Sequence, residues 1–239
     1  MYDASGRISQ RTRTIGVPVH IWTVNATAFD CPAAAEILSP AERAKASRYR
    51  FEKDRRLYIS ARASLRRILA ERTGAAAGNV VIEETVKPRA VIPPGSPDLF
   101  FNISHSGDYA VIALSEVAEV GIDIEQIRPD CPIDELARRY YAPSEYAWLC
   151  RLDGRRRLRD FYRFWTLKEA VLKCAGVGLA LPPRAVQIRL DQDPPGLRCS
   201  NPAYQYLQDF GVRELQLVAG YATALAVATQ EELDVHHAY

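Results

Sequence analysis

The chain has 239 residues, 48% of them hydrophobic and 25% charged, with a formal net charge of +2; this is the profile of a globular protein large enough to bury its own core. No apolar run approaches the roughly 20 residues of a membrane span, and MYDASGRISQRTRTIG has basic residues without the apolar stretch of an export signal. The five cysteines (Cys31, Cys131, Cys150, Cys174, Cys199) are odd in number and never form a C-x-x-C pair, which argues against a disulfide framework or a thiolate zinc site and for a reducing, cytoplasmic compartment.

Residues 1–18 read as a loose leader and VHIWTVN, 19–25, as the first strand. Ser39, with Pro40 behind it and Glu42 three residues on, has the pattern of a capping box. The helical pattern that it opens runs to Gly74, with a break expected near Phe51–Asp54. Between Ser39 and Arg72 eleven Lys and Arg stand against four Asp and Glu, a local charge of +7. Such a stretch is either a solvated helix face or a surface for a polyanion, nucleic acid or a phosphate-rich cofactor. VVIEE, 80–84, reads as a strand, and Lys87-Pro88 and Pro93-Pro94-Gly95 as loops. LFFNIS and YAVIAL, split by His105 to Asp108, form a hairpin or a strand, turn and strand, and VGIDIEQI, 120–127, is the next strand.

A second series follows. Pro143-Ser144-Glu145 opens a helix, FYRFWTLKEAVLKCAG makes another that ends at Gly176, VQIRL (186–190) is a strand, and LQLVAGYATALAVAT (215–229) a terminal pair of strands. With Tyr58 set against Trp165, Ala63, Leu65 and Arg66 fall on Ala170, Leu172 and Lys173, VHIWTV on VGIDIE, VVIEE on VQIRL, and Gly107 on Gly220. The shared order predicts an α+β protein of two pseudo-symmetric halves, 19–118 and 119–239, each about the size of a small domain, with an active site at their interface.

Asp123 and Glu125 point to one side of a strand whose other face is isoleucine. A solvated edge explains such a pair, and so does a hard divalent cation, because adjacent carboxylates repel unless something positive holds them. Glu169 and Lys173, four apart, share a helix face. They are an exposed ion pair, or a carboxylate for a metal with an ammonium one turn away for a phosphate oxygen. Ser104 and His105 lie at a strand end, where their hydroxyl and ring N–H suit an anion. The sequence contains no G-x-S-x-G elbow, Walker A loop or G-x-G-x-x-G run.

FNISHS, GIDIE and WTLKEAVLK with AGVGL after it, in that order, resemble the Sfp-type 4′-phosphopantetheinyl transferases. LSPAERAKASRYRFEKDRRLYISARASLRR is similar to that family's basic N-terminal helices. VKPRAVIP resembles its G-K-P loop with Val86 in place of Gly, and RRYYAPSEY the segment before its long C-terminal helix. The resemblance runs from about Val19 to Leu190 and agrees with the duplicated fold. It implies transfer of 4′-phosphopantetheine from coenzyme A to a serine of an apo acyl or peptidyl carrier protein, with release of adenosine 3′,5′-bisphosphate. Asp123, Glu125 and Glu169 match its Mg²⁺ carboxylates. Lys173 matches a lysine on the pyrophosphate; Glu169 is also a candidate to take the serine proton. Ser104 and His105 match residues at the 3′-phosphate, and Lys45 and Lys87 match basic residues on the cofactor's phosphates. A family lysine falls on Glu42, which weakens the 3′-phosphate contacts or moves them to Arg43 or Arg48. The partner is an acidic helical bundle, for which Tyr140–Arg159, with Trp148, Leu149 and Arg155-Arg156-Arg157, is the candidate surface. Two halves in one chain suit a monomer. A Mg²⁺-dependent nuclease would use the same acids with the arginines on nucleic acid, but has no need of the ordered motifs. In a coenzyme A-binding module that had lost activity, the acids and Lys173 need not have survived.

Overall fold

The structure, a computed structural model, describes residues 16–83, 89–91 and 98–238. Along the chain come β1 (Val17–Asn25), α1 (Cys31–Glu36), α2 (Pro40–Ala46), α3 (Glu52–Thr73), β2 (Val81–Glu83), β3 (Arg89–Val91), β4 (Phe100–Ser106), β5 (Tyr109–Ser115) and β6 (Val120–Gln126). They are followed by α4 (Ile133–Tyr140), α5 (Pro143–Leu149), α6 (Gly154–Ala175), β7 (Val186–Arg189), β8 (Gly196–Cys199), β9 (Gly211–Leu215), β10 (Tyr221–Val227) and β11 (Leu233–Ala238). Among the described residues three sheets result, in the orders β11-β1-β5-β4-β3-β2, β6-β10-β9 and β7-β8.

The period-two alternation of β5 and β6 sets the layering. Ile112 and Leu114 of β5 pack with Leu57, Leu65 and Leu69 of α3. Val111 and Ala113, on the opposite face, meet Ile122 and Ile124 of β6 and Leu225 of β10. The far face of that second sheet, Ala224 and Ala226, packs on Ala170, Val171 and Cys174 of α6. The fold is therefore four layers, α3, sheet, sheet and α6, with the two α+β units back to back.

Local signals place the ends of the helices. Ser39 Oγ accepts the Glu42 N–H at 3.2 Å while a Glu42 carboxylate oxygen accepts the Ser39 N–H at 2.7 Å, closing the capping box. The break between α2 and α3 falls at 47–51, a few residues ahead of the expected Phe51–Asp54, and Gly74 and Gly176 end α3 and α6 with φ of 71° and 67°. Other bounds differ. β9 ends at Leu215 and β10 begins at Tyr221, so 216–220 is connection where the apolar run suggested strand. The last strand, β11, pairs parallel with β1, returning the chain end to the first sheet; its LDVHHA is too polar on one face to read as a core strand. α4 carries a helical stripe, Ile133, Leu136, Ala137 and Tyr140, that packs into the core around α6, and neither it nor the six-residue α1 is among the elements expected from the sequence. Lys87, Val86 and most of the leader lie outside the described residues. All five cysteines are free thiols.

Glu42 faces inward. Its carboxylate pairs with Arg66 at 2.6 Å and Arg62 at 2.6 Å, and Arg66 donates further to the carbonyls of Ala77 and Val80 at 3.0 and 2.9 Å. Burial pushes the Glu42 carboxyl up, but the Ser39 N–H and the two guanidiniums outweigh it and hold it below its ordinary value. A depressed carboxyl stabilises the fold above the ordinary Glu value and loses that contribution as pH falls through the folded value. Arg66→Ala, which takes one of two guanidiniums from a buried carboxylate and the donor from the Ala77 and Val80 carbonyls, is expected to cost about 3–5 kcal/mol in urea unfolding at pH 7. The deficit should shrink once Glu42 is protonated in acid.

Candidate active site

β6 is the edge of its sheet, and side chains of β4 cover that edge. Asn102 Oδ1 accepts the Ile122 N–H at 3.1 Å and Ser106 Oγ accepts the Gln126 N–H at 3.1 Å. Between them Ser104 Oγ donates to Asp123 Oδ1 at 2.8 Å, and Ser106 Oγ donates to a Glu125 oxygen at 2.8 Å. On the other side α6 crosses β6 at Gly121, where a Cβ would collide with the Ala170 carbonyl and the Cys174 backbone. Opposite Asp123 and Glu125 on β10 stand Ala224 and Ala222, again small. This close crossing lets Lys173 Nζ reach Asp123 Oδ1 at 2.6 Å, Ser104 Oγ at 2.9 Å and the Ile122 carbonyl at 3.3 Å.

Asp123 is 4% exposed, and its second oxygen, Oδ2, is buried with no hydrogen-bond partner. Burial and then the nearby Asp123 charge raise the Glu169 carboxyl, with Lys173 opposing. Burial also raises Glu125, against the hydrogen bond from Ser106 and with the push of Asp123. His105 is lowered by burial and by the Lys173 ammonium.

These side chains line one cavity of about 440 Å³, which collects Lys45, Ser104, His105, Asp123, Glu125, Glu169 and Lys173. Every site residue expected from the sequence and lying among the described residues is there. Six more line it: Tyr49, Tyr58, Ala61, Arg62, Ile103 and Trp165. The helical period puts Trp165 on the buried side of α6, and Tyr58 enters the sequence reading only as its counterpart in the duplication. Their alignment as counterparts was the available signal, because equivalent positions of two back-to-back helices can face one seam. Arg43 and Arg48 are not among its lining residues; Arg43 bonds to the Leu38 carbonyl instead. Glu42 belongs to the core network, and the basic group it anchors at the pocket is Arg62. Leu149 is fully buried, and Trp148 Nε1 donates to Asp160 at 2.9 Å. Of the arginine run, Arg155 and Arg156 are exposed while Arg157 pairs with Asp134 at 2.7 Å.

The acids suit a hard cation as donors, but they do not form a cage. Among the described residues no three His, Cys, Asp or Glu converge closely enough to hold an ion by themselves. Lys173 stands on one Asp123 oxygen, and the orphaned Oδ2 with two destabilised carboxylates is what remains for a cation. Mg²⁺ is ordinarily held in this way, by one or two carboxylates with substrate phosphates and water supplying the rest. The residues therefore fit Mg²⁺ arriving with a phosphorylated ligand. A larger cavity, about 760 Å³, lies between α6 and residues 214–223. Its charges are already paired, since Arg163 grips Glu214 through two bonds of 2.6 and 2.7 Å.

A basic wall facing buried acids across the seam of a doubled α+β fold is the arrangement of a phosphoryl-transfer enzyme. Two family models divide the chain: "4′-phosphopantetheinyl transferase, N-terminal" matches 21–117 and "4′-phosphopantetheinyl transferase superfamily" matches 119–226. The 4′-phosphopantetheinyl transferase HetI of a Nostoc species is 32% identical over 197 residues, 80% of this chain and 81% of that protein. The 4′-phosphopantetheinyl transferase Sfp of Bacillus subtilis is 39% identical over 100 residues, 42% of this chain and 43% of its own. A holo-[acyl-carrier-protein] synthase of Thermotoga maritima superposes with a TM-score of 0.37 at 24% identity, over 48% of this chain and 63% of that one, too partial a likeness to add weight. The chain belongs to the 4′-phosphopantetheinyl transferase superfamily.

Gly121→Ala is expected to destabilise the fold by about 1–3 kcal/mol in denaturant. It should also lower transferase activity at temperatures where the variant is fully folded, because α6 carries Glu169 and Lys173 away from Asp123 as it yields.

Proposed function

We propose that this enzyme moves the 4′-phosphopantetheine arm of coenzyme A onto a serine of an apo acyl or peptidyl carrier protein and releases adenosine 3′,5′-bisphosphate. The observation that carries this reading is the single pocket in which Lys45, Arg62, His105 and Lys173 face Asp123, Glu125 and Glu169. Phosphoryl transfer asks chiefly for positioning and charge neutralisation. Lys45, Arg62 and the His105 ring bind the 3′-phosphate side, with Ser104 as a further donor and Lys87 a proposed one. Lys173, steadied by Asp123 and Ser104, bears on the pyrophosphate and balances the charge that develops on the leaving bisphosphate.

Held by Asp123, Glu125 and Glu169, Mg²⁺ would neutralise the pyrophosphate oxygens. Glu169 takes the proton of the attacking serine; a carboxyl raised by burial is better matched to that task near neutrality than an exposed one. Catalytic roles thus fall to Glu169, Lys173 and Asp123. Exposed Arg155 and Arg156 near α5 suit an acidic helical carrier. No helix of the described residues is long and apolar enough to cross a membrane. A cytoplasmic enzyme acting as a monomer, with halves 19–118 and 119–239 closing one pocket, accords with these features.

The test is to incubate the protein with coenzyme A, Mg²⁺ and several apo carriers and to weigh the carriers intact. A gain of one phosphopantetheine that EDTA abolishes is expected; no gain on any carrier overturns the reading. Glu169→Ala should lower kcat/KM by about 10²-fold or more, and near-normal turnover would remove both of its roles. Activity needs Glu125 and Glu169 ionised, and both are raised. The acidic limb of kcat/KM should therefore lie above the ordinary Glu value of about 4.3, with activity lost as pH falls through it.

A further inference from the structure

The buried polar groups at the basic end of the pocket are satisfied before any phosphate arrives. Glu42, 3% exposed, takes Arg62 on one carboxylate oxygen, with the guanidinium Nε and Nη2 each 2.6 Å from Oε1. Its other oxygen, Oε2, accepts from Arg66 Nε at 2.6 Å and from the Ser39 N–H at 2.7 Å. The Nε–Nη2 edge is one with which a guanidinium meets an oxyanion through two parallel bonds, and in Arg62 Glu42 holds it. Ser104 is committed as well: it donates to Asp123 at 2.8 Å and accepts from Lys173 at 2.9 Å. Lys45 and His105, the other groups of this end among the described residues, both open to solvent.

An enzyme rejects a substrate that lacks one polar group chiefly because buried partners are then left unpaired. Here nothing is stranded. Arg62 reaches a phosphate only by exchanging one anion for another, Ser104 only by turning from Asp123, and Lys45 and His105 return to water. Each exposed ionic contact that the phosphate makes is worth about fivefold in affinity at most. We propose that the enzyme also takes 3′-dephospho-coenzyme A as a donor, because Glu42 already occupies Arg62 and the 3′-phosphate is weakly read. The family carries a lysine at this position, so the arrangement is this chain's own. The transfer itself is unchanged. The serine oxygen bonds to the phosphorus nearer the pantetheine, the bond from that phosphorus to the bridging oxygen breaks, and adenosine 5′-monophosphate leaves with the electron pair. The serine proton goes to Glu169. Asp123, Glu125, Glu169 and Lys173, on which this step draws, belong to β6 and α6, whereas Glu42 and Arg62 belong to α2 and α3.

The inference rests on coenzyme A being a donor, and the test tells the two apart. Rates of transfer to one apo carrier, with Mg²⁺ present, are measured with coenzyme A and with 3′-dephospho-coenzyme A, and the product is weighed intact. The two kcat/KM values should lie within about thirtyfold, the sum of two exposed contacts, with the difference in KM. A wider preference for coenzyme A overturns the inference and leaves the function standing, whereas transfer from neither donor refutes the function itself. Glu42→Gln keeps the side chain's shape and removes the charge that holds Arg62. Once thermal melting shows it folded, it should sharpen the preference for coenzyme A by about tenfold or more. Structural damage alone would weaken both donors alike, so an unchanged preference overturns the role of Glu42. Should the variant not fold, inhibition of the wild-type enzyme carries the test. Inhibition constants of adenosine 3′,5′-bisphosphate and adenosine 5′-monophosphate within about thirtyfold of each other uphold the inference, and a wider gap overturns it.

Discussion

The site depends on an edge. β6 ends its sheet with a row of backbone groups that no strand of the described residues covers, a situation proteins resolve by covering or charging the edge. Here Asn102, Ser104 and Ser106 of β4 project onto it and answer backbone and carboxylate alike. The two halves are joined by polar side chains at the place where the carboxylates stand, so the seam of the fold and the pocket are one feature. A continuous strand ladder there would have left no room for either.

That junction gathers negative charge at a cost. Asp123 is buried, Glu125 and Glu169 are pushed toward their neutral forms, and one ammonium, Lys173, is shared among Asp123, Ser104 and a carbonyl. Removing one partner from such a cluster leaves an uncompensated charge in a region of poor solvation. The cluster is better matched to a polyanion and its cation than to water, and the basic wall from α2 and α3 supplies the opposite half of that match.

The duplication explains why there is one such site. Trp22 and Val24 of β1 occupy the positions that Asp123 and Glu125 hold in β6, and they pack with α3 in an apolar cluster. The first half uses its equivalent face for core and lends its helix, through Tyr58 and Arg62, to the pocket of the second. Between copies of one unit, binding and stability have been divided.

Much of this was legible in the residues. The capping box at Ser39, the break at Phe51 and the terminal glycines at 74 and 176 are local, and the two halves follow from order alone. The ordered motifs also carried the family, and a strand's alternation and a helix's four-residue step already put Asp123 beside Glu125 and Glu169 over Lys173. Long-range pairing lay beyond that reach. That β11 returns to β1, that Glu42 turns inward to Arg66, and that Arg62 and Tyr49 join the pocket depend on which surfaces meet. The sequence by itself determined the elements and the chemistry they carry, since both are encoded within a few residues. Only the tertiary structure decided which acid lies bare and which cation stands against it, because charges interact through space, and the packing of α6 against Gly121 sets those distances.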